Sequence, residues 1–400
     1  MIKFFDTNVL LKIDLDSIAE KFAISSITLT ELENLKDTPK RAAAQKVSRW
    51  LATHEDNYEV VRFDLSLLEP LQCFNLELNN DIKIISCALA YEEPVEFVTE
   101  DLCCLNFARL ILSDATLYVE QKDSYTGYKE VVLTETELAH FYEHVEENPF
   151  GVLTNEYLHL VDEDGGLYES FKWTGEKFQN IHFPVFESRM FGRVKPRDKN
   201  QLIAMDSLKT NQLTMLRGPA GSGKSYLACG FLLQQLEKGV IDKIVVLVNT
   251  PAAKGACKLG FYPGTKDEKL LSSTAGNILS TKLGSIEAVE MMIDQGRLEL
   301  LPMADIRGVD FSGTPVGVWI LEAQNTSPYL LQLCLQRVGD DSIVIIDGDD
   351  RTQIDIAEFS GDNNGMRRVS EVFRGDSLYG EVTLTDIHRS KLAAKAQELC

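Results

Sequence analysis

Short apolar runs alternate with amphipathic stretches from the first residue onward. Over residues 1–120, IKFF, YEVVRF, PVEFV and ATLYVE are separated by segments such as KRAAAQKVSRWLATH. Apolar runs interleaved with helix-period segments predict a parallel sheet with helices on its faces. The rhythm changes over 150–185, where EYLHLVD, LYESFKW and KFQNIHF are separated by DGG and TGE, the signature of a small β meander. From about residue 195 the alternation of strand and helix returns, with LTML, KIVVLV, VGVWI, DSIVII and EVTL as buried strands. The expectation is an α/β chain in three parts: a parallel-sheet domain at 1–120, a connecting module with the meander at 121–195, and a second α/β domain at 196–400. The charged stretch 186–200, which contains Pro196, is the expected linker.

Length and composition sharpen this picture. A chain of 400 residues exceeds the roughly 250 that one core organises, so several domains are expected. Hydrophobic content of 44% and charged content of 25% are those of a globular protein, and no apolar run reaches the roughly 18 residues of a membrane span. The opening MIKFFDTNVL carries Asp6 and reads as a first strand rather than a signal peptide, which gives a cytoplasmic expectation. Eight cysteines show no C-x-x-C spacing and read as reduced core thiols; adjacent Cys103 and Cys104 are weighed as a redox pair and read as structural. The net charge of −21 is uneven: residues 51–150 hold five basic against 21 acidic side chains, and residues 201–400 hold 20 against 25. Such acidity excludes a general nucleic-acid coat, because phosphate affinity comes from Lys and Arg clusters.

Residues Gly218, Pro219, Ala220, Gly221, Ser222, Gly223, Lys224 and Ser225 form GPAGSGKS between a strand (LTMLR) and a helix beginning near Tyr226. Glycines there let backbone N–H groups converge on phosphate oxygens at a helix N-terminus. Lys224 is placed for the β and γ phosphates of ATP, and the Ser225 hydroxyl for Mg²⁺. Glu322, after the strand VGVWI, is placed to orient water. Leu321 stands where the usual magnesium-ordering Asp is expected, so the metal is expected to lean on Ser225, waters and Asp349 from the next strand end. Gln353 is the candidate γ-phosphate sensor. Arg337 and Arg389 are candidate charge stabilisers, each weighed against a surface or structural role.

These residues resemble the PhoH-like P-loop family, a RecA-like fold related to superfamily 1 helicases. NQLIAMDSL, GPAGSGKSYLA, KLGFYPGTKDEKL, IRG at 306–308, LEAQNTSP, LQRVG and TQID carry the likeness. The resemblance implies that Gln201 reads adenine; the plainer reading is a helix-surface amide. Three positions depart from the pattern: Leu321, Asn249, and GDDRTQ, one residue longer than the family's GD-x-x-Q.

In the first domain Asp6 and Asp101 follow strands, Glu31 is expected to open the helix after AISSITL, and Asp81 begins another helix. Groups at the C-terminal ends of parallel strands meet at one edge. Converging carboxylates need cations to offset their repulsion, and oxygen ligands suit Mg²⁺ or Mn²⁺ and phosphodiester hydrolysis. The alternative is that these acids cap helices. FDTNVLL, LTELENL, NNDIKIISCA and FVTEDL are similar, in order and spacing, to the motifs of the PIN ribonuclease domain. That resemblance implies Asp6, Glu31, Asp81 and Asp101 as metal ligands, Thr99 and Asn8 as shaping residues, and Glu100 as an extra ligand.

A PIN domain ahead of a PhoH-like ATPase resembles ring-forming proteins that unwind and cut RNA. The resemblance implies ATP-dependent remodelling of single-stranded RNA, metal-dependent cleavage, and a homo-oligomeric ring of six; given the acidity, a central channel lined by a few basic residues, such as Lys254, Lys258 or Lys266, is expected to guide one strand. Trp173, Tyr168 and Phe171 beside Lys172 are candidate base-stacking residues, with a core role favoured. The competing readings are a nucleotide-binding regulator with little or no ATPase and a metal-dependent ribonuclease without a motor.

Overall fold

The computed structural model describes residues 1–13, 15–18, 20–35, 38, 40–74, 77–118, 125–162, 164–249, 274–356, 359 and 363–396. The chain divides into two compact units, Met1–Ser124 and Tyr125–Cys400. The module expected at 121–195 falls almost entirely within the second.

In the first unit, β1 (Ile2–Phe5), β2 (Phe22–Ser25), β3 (Tyr58–Val61), β4 (Val95–Thr99) and β5 (Ala115–Leu117) form a parallel sheet in the order β3-β2-β1-β4-β5. Successive side chains on a strand point to opposite faces. Accordingly, Phe4 joins the core containing Ala23, Ile84 and Phe97, whereas its neighbour Phe5 joins Phe22, Ile24 and Val47 on the other face. Both faces are covered by helices, which leaves the strand C-terminal ends as an accessible edge. There helices Thr7–Leu10, Ser26–Asn34, Asn80–Leu89 and Leu102–Ile111 begin.

The second unit has a four-stranded sheet built from β6 (Tyr128–Val132), β7 (Tyr157–Val161), β8 (Leu167–Trp173) and β9 (Phe178–Asn180). The last three pair antiparallel, and β6 adds a parallel edge strand. Trp173 and Phe171 are buried in its core beside Phe141 and Phe178. Lys172 is buried as well, with its ammonium on Thr210 and Asn211, and of the three aromatic stacking candidates Tyr168 alone is exposed. A hairpin follows, β10 (Phe186–Ser188) and β11 (Gly192–Val194).

The largest sheet is parallel throughout: β12 (Leu213–Arg217), β13 (Lys243–Val248), β14 (Leu298–Pro302), β15 (Val316–Leu321), β16 (Ile343–Gly348) and β17 (Tyr379–Thr383), in the order β14-β13-β15-β16-β12-β17. Alternation again sorts the side chains. Trp319 and Leu321 enter the core beneath helix Lys224–Glu237, and Val318 and Ile320 enter the opposite one. Leu321 is thus a core residue of the face under the phosphate-binding helix. Among the described residues no helix is long and apolar enough to cross a membrane. Cys87, Cys104, Cys229 and Cys334 are buried free thiols as expected, Cys73 and Cys103 are exposed instead, and Cys257 and Cys400 lie outside the described residues.

Candidate functional site

The phosphate-binding loop leaves the C-terminal end of β12, between β16 and β17. Gly218 has φ +140°, and a Cβ there would stand 2.2 Å from the carbonyl oxygen of Leu384. Gly223 caps helix Lys224–Glu237 with φ +104°, and a Cβ would stand 2.7 Å from the Gln201 amide. Only glycine fits both demands. The chain's own segment after β17 closes one side of the loop: the Leu384 N–H donates to the Arg217 carbonyl at 2.8 Å, and the His388 N–H to the Gly221 carbonyl at 3.0 Å. The His388 imidazole in turn meets Asp198, the N-cap of helix Lys199–Thr210. Arg389 follows directly, its Cβ 3.0 Å from where a Gly221 side chain would begin, so it stands over the loop.

Gln201 is buried rather than on a helix surface. Its Nε2 donates to the Ser222 carbonyl at 2.9 Å and its Oε1 accepts from the Arg197 N–H at 3.0 Å, supporting the loop from below. Tyr226 is exposed in the first helical turn, its ring tilted at 45° to that of Phe191 with centroids 5.0 Å apart and with the Lys282 ammonium 5.3 Å from its ring centroid. The Lys224 ammonium bridges the Gly218 and Pro219 carbonyls at 2.5 and 3.1 Å, inside the loop's own concavity.

The acid beside Ser225 is one the sequence reading passed over. Ser225 Oγ donates to Asp347 Oδ2 at 2.8 Å, and Asp347 Oδ1 accepts the Glu322 N–H at 3.1 Å. Asp347 is fully buried, and burial pushes its carboxyl up to about 6; the nearby Glu322 raises it further, while Lys224 acts in the opposite sense. The expected strand DSIVII stopped two residues short. β16 continues through Asp347 and pairs it with Leu216 on β12, which brings the carboxylate to the phosphate-binding loop.

Asp349, expected to help the metal, is turned to its own loop, accepting from the Arg351 and Thr352 N–H groups and the Thr352 hydroxyl. Gln353 lies in the same loop, its N–H closing on the Asp349 carbonyl. Glu322 sits next to Asp347 in a left-handed conformation, φ +54°, ψ +49°, with its carboxylate accepting from Gln324 Nε2 at 2.7 Å. A non-glycine residue there carries backbone strain on the order of 1 kcal/mol.

Arg337 is not brought to this cluster. Helix Pro328–Leu335 starts beside the Glu322 loop and runs back against the strands, delivering Arg337 to the opposite sheet edge near Asp310, where its carbonyl accepts from the Phe311 N–H. Lys254, Lys258 and Lys266 lie outside the described residues.

The four acids of the first unit gather at one strand edge with unequal surroundings. Asp6 is 2% exposed, accepts from the Thr7 N–H at 2.7 Å and from Thr99 Oγ1 at 2.9 Å, and burial, with Asp81 and Glu31 adding repulsion, pushes its carboxyl up to about 6. Asp81 is raised by burial, Asp101 and Glu31. Glu31 does not open its helix: Ser25 is the cap, and Glu31 lies in the second turn, accepting from Thr7 Oγ1 and from Asn80 Nδ2 at 2.9 Å. The capping acids are Asp6 and Asp101, the latter accepting from the Cys103 and Cys104 N–H groups. Capping therefore coexists with convergence. Glu100 is engaged by Lys12, and Asn8 accepts from Lys40 at 3.3 Å, so neither adds to the cluster.

Among the described residues no three such side chains stand in ready metal-holding geometry. The donor set is nonetheless all carboxylate, mutually repelling and partly desolvated, which fits a hard divalent cation. Thr7 and Asn80 were missed because a polar residue next to an acid motif carries no periodic signal of its own.

Comparison with known proteins finds a family for each of the two regions. Residues 193–400 match the family model described as PhoH-like protein, and residues 4–112 match that of the PIN domain. Protein PhoH2 of Bacillus subtilis (strain 168) is 27% identical over an alignment of 446 residues covering 98% of each chain. The PhoH-like protein of the same organism is 34% identical over 52% of this chain and 63% of its own length. Protein PhoH2 of Thermobispora bispora is 32% identical over 53% of this chain and 48% of its own. A P-loop ATPase domain joined to a PIN domain is the make-up of an enzyme with nucleotide-dependent activity. The chain belongs to the PhoH-like family and carries a PIN domain at its N-terminal end.

Proposed function

We propose that the chain is an ATP-dependent RNA-processing enzyme whose second unit binds and hydrolyses ATP to remodel single-stranded RNA and whose first unit cleaves RNA at the acid cluster. The observation that carries this reading is the contact between Ser225 and the buried Asp347, with Glu322 and Lys224 beside it. That arrangement supplies a cation for phosphates, two oxygens for a divalent metal and a carboxylate for water, the parts phosphoryl transfer uses.

Backbone N–H groups of Gly221 to Ser225 orient the triphosphate at the helix N-terminus, and Lys224 exchanges its carbonyl partners for the β and γ oxygens. Ser225 and Asp347 would hold Mg²⁺, which when bound offsets charge on the β and γ phosphates. Glu322 positions the attacking water, Arg389 faces the developing charge, Gln201 and Tyr226 meet the base, and Gln353 reads the γ phosphate. In the first unit Asp6, Glu31, Asp81 and Asp101 would hold Mg²⁺ or Mn²⁺, whose chemistry is activation of water toward a phosphodiester. Thr99, Thr7 and Asn80 orient the carboxylates. A ring of identical chains, six by resemblance, would present single-stranded RNA to both activities despite the net charge of −21.

The test is cleavage of labelled single-stranded RNA with Mn²⁺, with and without ATP. Cleavage stimulated by ATP supports the coupled reading. Cleavage indifferent to ATP leaves a ribonuclease without a motor, and nucleotide binding with neither hydrolysis nor cleavage leaves a regulator.

A further inference from the structure

The loop leaving β16 reads Gly348-Asp349-Asp350-Arg351-Thr352-Gln353, one residue longer than the pattern it resembles. With Asp349 capping its own turn, the added length lets Asp350 point inward. Asp350 is 2% exposed, with Oδ1 3.6 Å from Arg217 Nε and Oδ2 3.5 Å from Arg367 Nε. Arg217 is the last residue of β12, directly ahead of Gly218, and its other arm reaches Glu381 on β17 at 3.0 Å. Glu381 is held in turn by the Tyr379 hydroxyl at 2.7 Å.

A cavity of about 210 Å³, lined by Arg217, Gly218, Pro219, Asp350, Thr352 and Thr383 among others, lies between this loop and the phosphate-binding loop. Dense packing is what usually transmits displacement between neighbouring segments. The roots of the two loops are tied by the Gly218 N–H donating to the Gly348 carbonyl at 3.3 Å; beyond that point the gap interrupts packing, and a buried ion pair, weakly screened, spans it. Each member keeps a second partner, Arg367 for Asp350 and Glu381 for Arg217, but the attraction between them is strong in a poorly solvated interior, so the two ends resist separation.

We propose that Asp350 is a positioning residue which, through Arg217, makes the loop carrying Gln353 move with the phosphate-binding loop when nucleotide enters. The proposal rests on the nucleotide-binding reading above. It assigns a function to a residue of the lengthened loop. Asp350 touches neither nucleotide nor water in this role. Its effect is to keep Gln353 in register with the γ phosphate.

The experiment is amide hydrogen exchange on the full chain, with and without a non-hydrolysable ATP analogue and Mg²⁺. In the parent, nucleotide should slow exchange about tenfold or more in both 218–225 and 349–356. In Asp350→Asn it should slow 218–225 alone. Asp350→Glu, whose extra methylene the adjoining cavity can take, should restore both. The proposal is overturned if Asp350→Asn keeps both protections or loses both, or if Asp350→Glu behaves like Asp350→Asn. Protection of 218–225 alone in the parent overturns it while leaving nucleotide binding intact. A parent protected at neither segment removes the nucleotide-binding reading itself.

Discussion

The two acid-bearing edges share a topology and differ in what faces the acid. Each lies at the C-terminal ends of parallel strands, and each has one deeply buried aspartate, Asp6 or Asp347, whose carboxyl is pushed up to about 6 chiefly by burial. Around Asp6 the neighbouring charges are Asp81 and Glu31, which add repulsion. Around Asp347 the repulsion of Glu322 is opposed by Lys224, and Ser225 donates a hydrogen bond. The first edge needs a cation from outside to lower its energy. The second carries one in the chain, pre-set for a polyanion. On the proposed function, similar frames serve one site that takes metal alone and one that takes phosphate together with its metal.

Four measurements break or sharpen that contrast. The largest effect is expected for Lys224→Ala, which removes the internal cation: phosphate release from ATP should fall by about 10³-fold. Retained turnover would mean the second edge works as the first does. Next comes the pair Asp347→Asn and Asp349→Asn in the same assay. The former should cost about 10²-fold because it takes away the acid beside Ser225, and the latter less than about threefold, since Asp349 closes only its own turn. Equal losses would return the metal to Asp349.

Third, Asp6→Asn should lower Mn²⁺-dependent RNA cleavage by about 10²-fold, with residual activity that neither added Mn²⁺ nor chelator changes.

The smallest effect is in stability. Asp6 has a folded carboxyl at about 6 against 3.8 for an ordinary aspartate, so the folded state holds the proton more tightly. The stability it contributes is complete below 3.8 and is lost as pH rises through 6, no more than about 3 kcal/mol in all. Denaturant unfolding with chelator at pH 4.5 and 7.5 should show this fall, reduced in Asp6→Asn and reversed by Mn²⁺ in the parent. A metal-free parent more stable at the higher pH would contradict the buried charge. Asp347 contributes with the same sign, which is why the variant reduces the slope without abolishing it.

Much of the frame was legible in the chain because hydrophobic period and glycine spacing are local signals. IKFF, PVEFV, VGVWI and EVTL each became strands, and GPAGSGKS lies between strand and helix. Legibility failed where a residue's role depends on its neighbour across the sheet. Asp347 looks like a strand-end polar residue until β16 is set beside β12. Asp349, next but one to it, looked equally eligible, and only the turn at Arg351 and Thr352 separates them. Arg337 misled in the other direction. Its position in LQRVG pointed to the nucleotide, yet the direction of helix Pro328–Leu335 takes it away. Glu31 was placed at a helix start because AISSITL reads as one long strand; Ser25 ends that strand early by capping, a contest between β-propensity and a side-chain hydrogen bond.

Glu322 occupies a backbone conformation that glycine or asparagine would adopt at less cost. Two selections applied to a library at this position would therefore part company. Variants ranked by resistance to unfolding would drift toward the small, turn-forming residues, and variants ranked by turnover would keep the carboxylate. On the proposed function, the strained backbone marks a position where chemistry, and not folding, decides which side chain the chain retains.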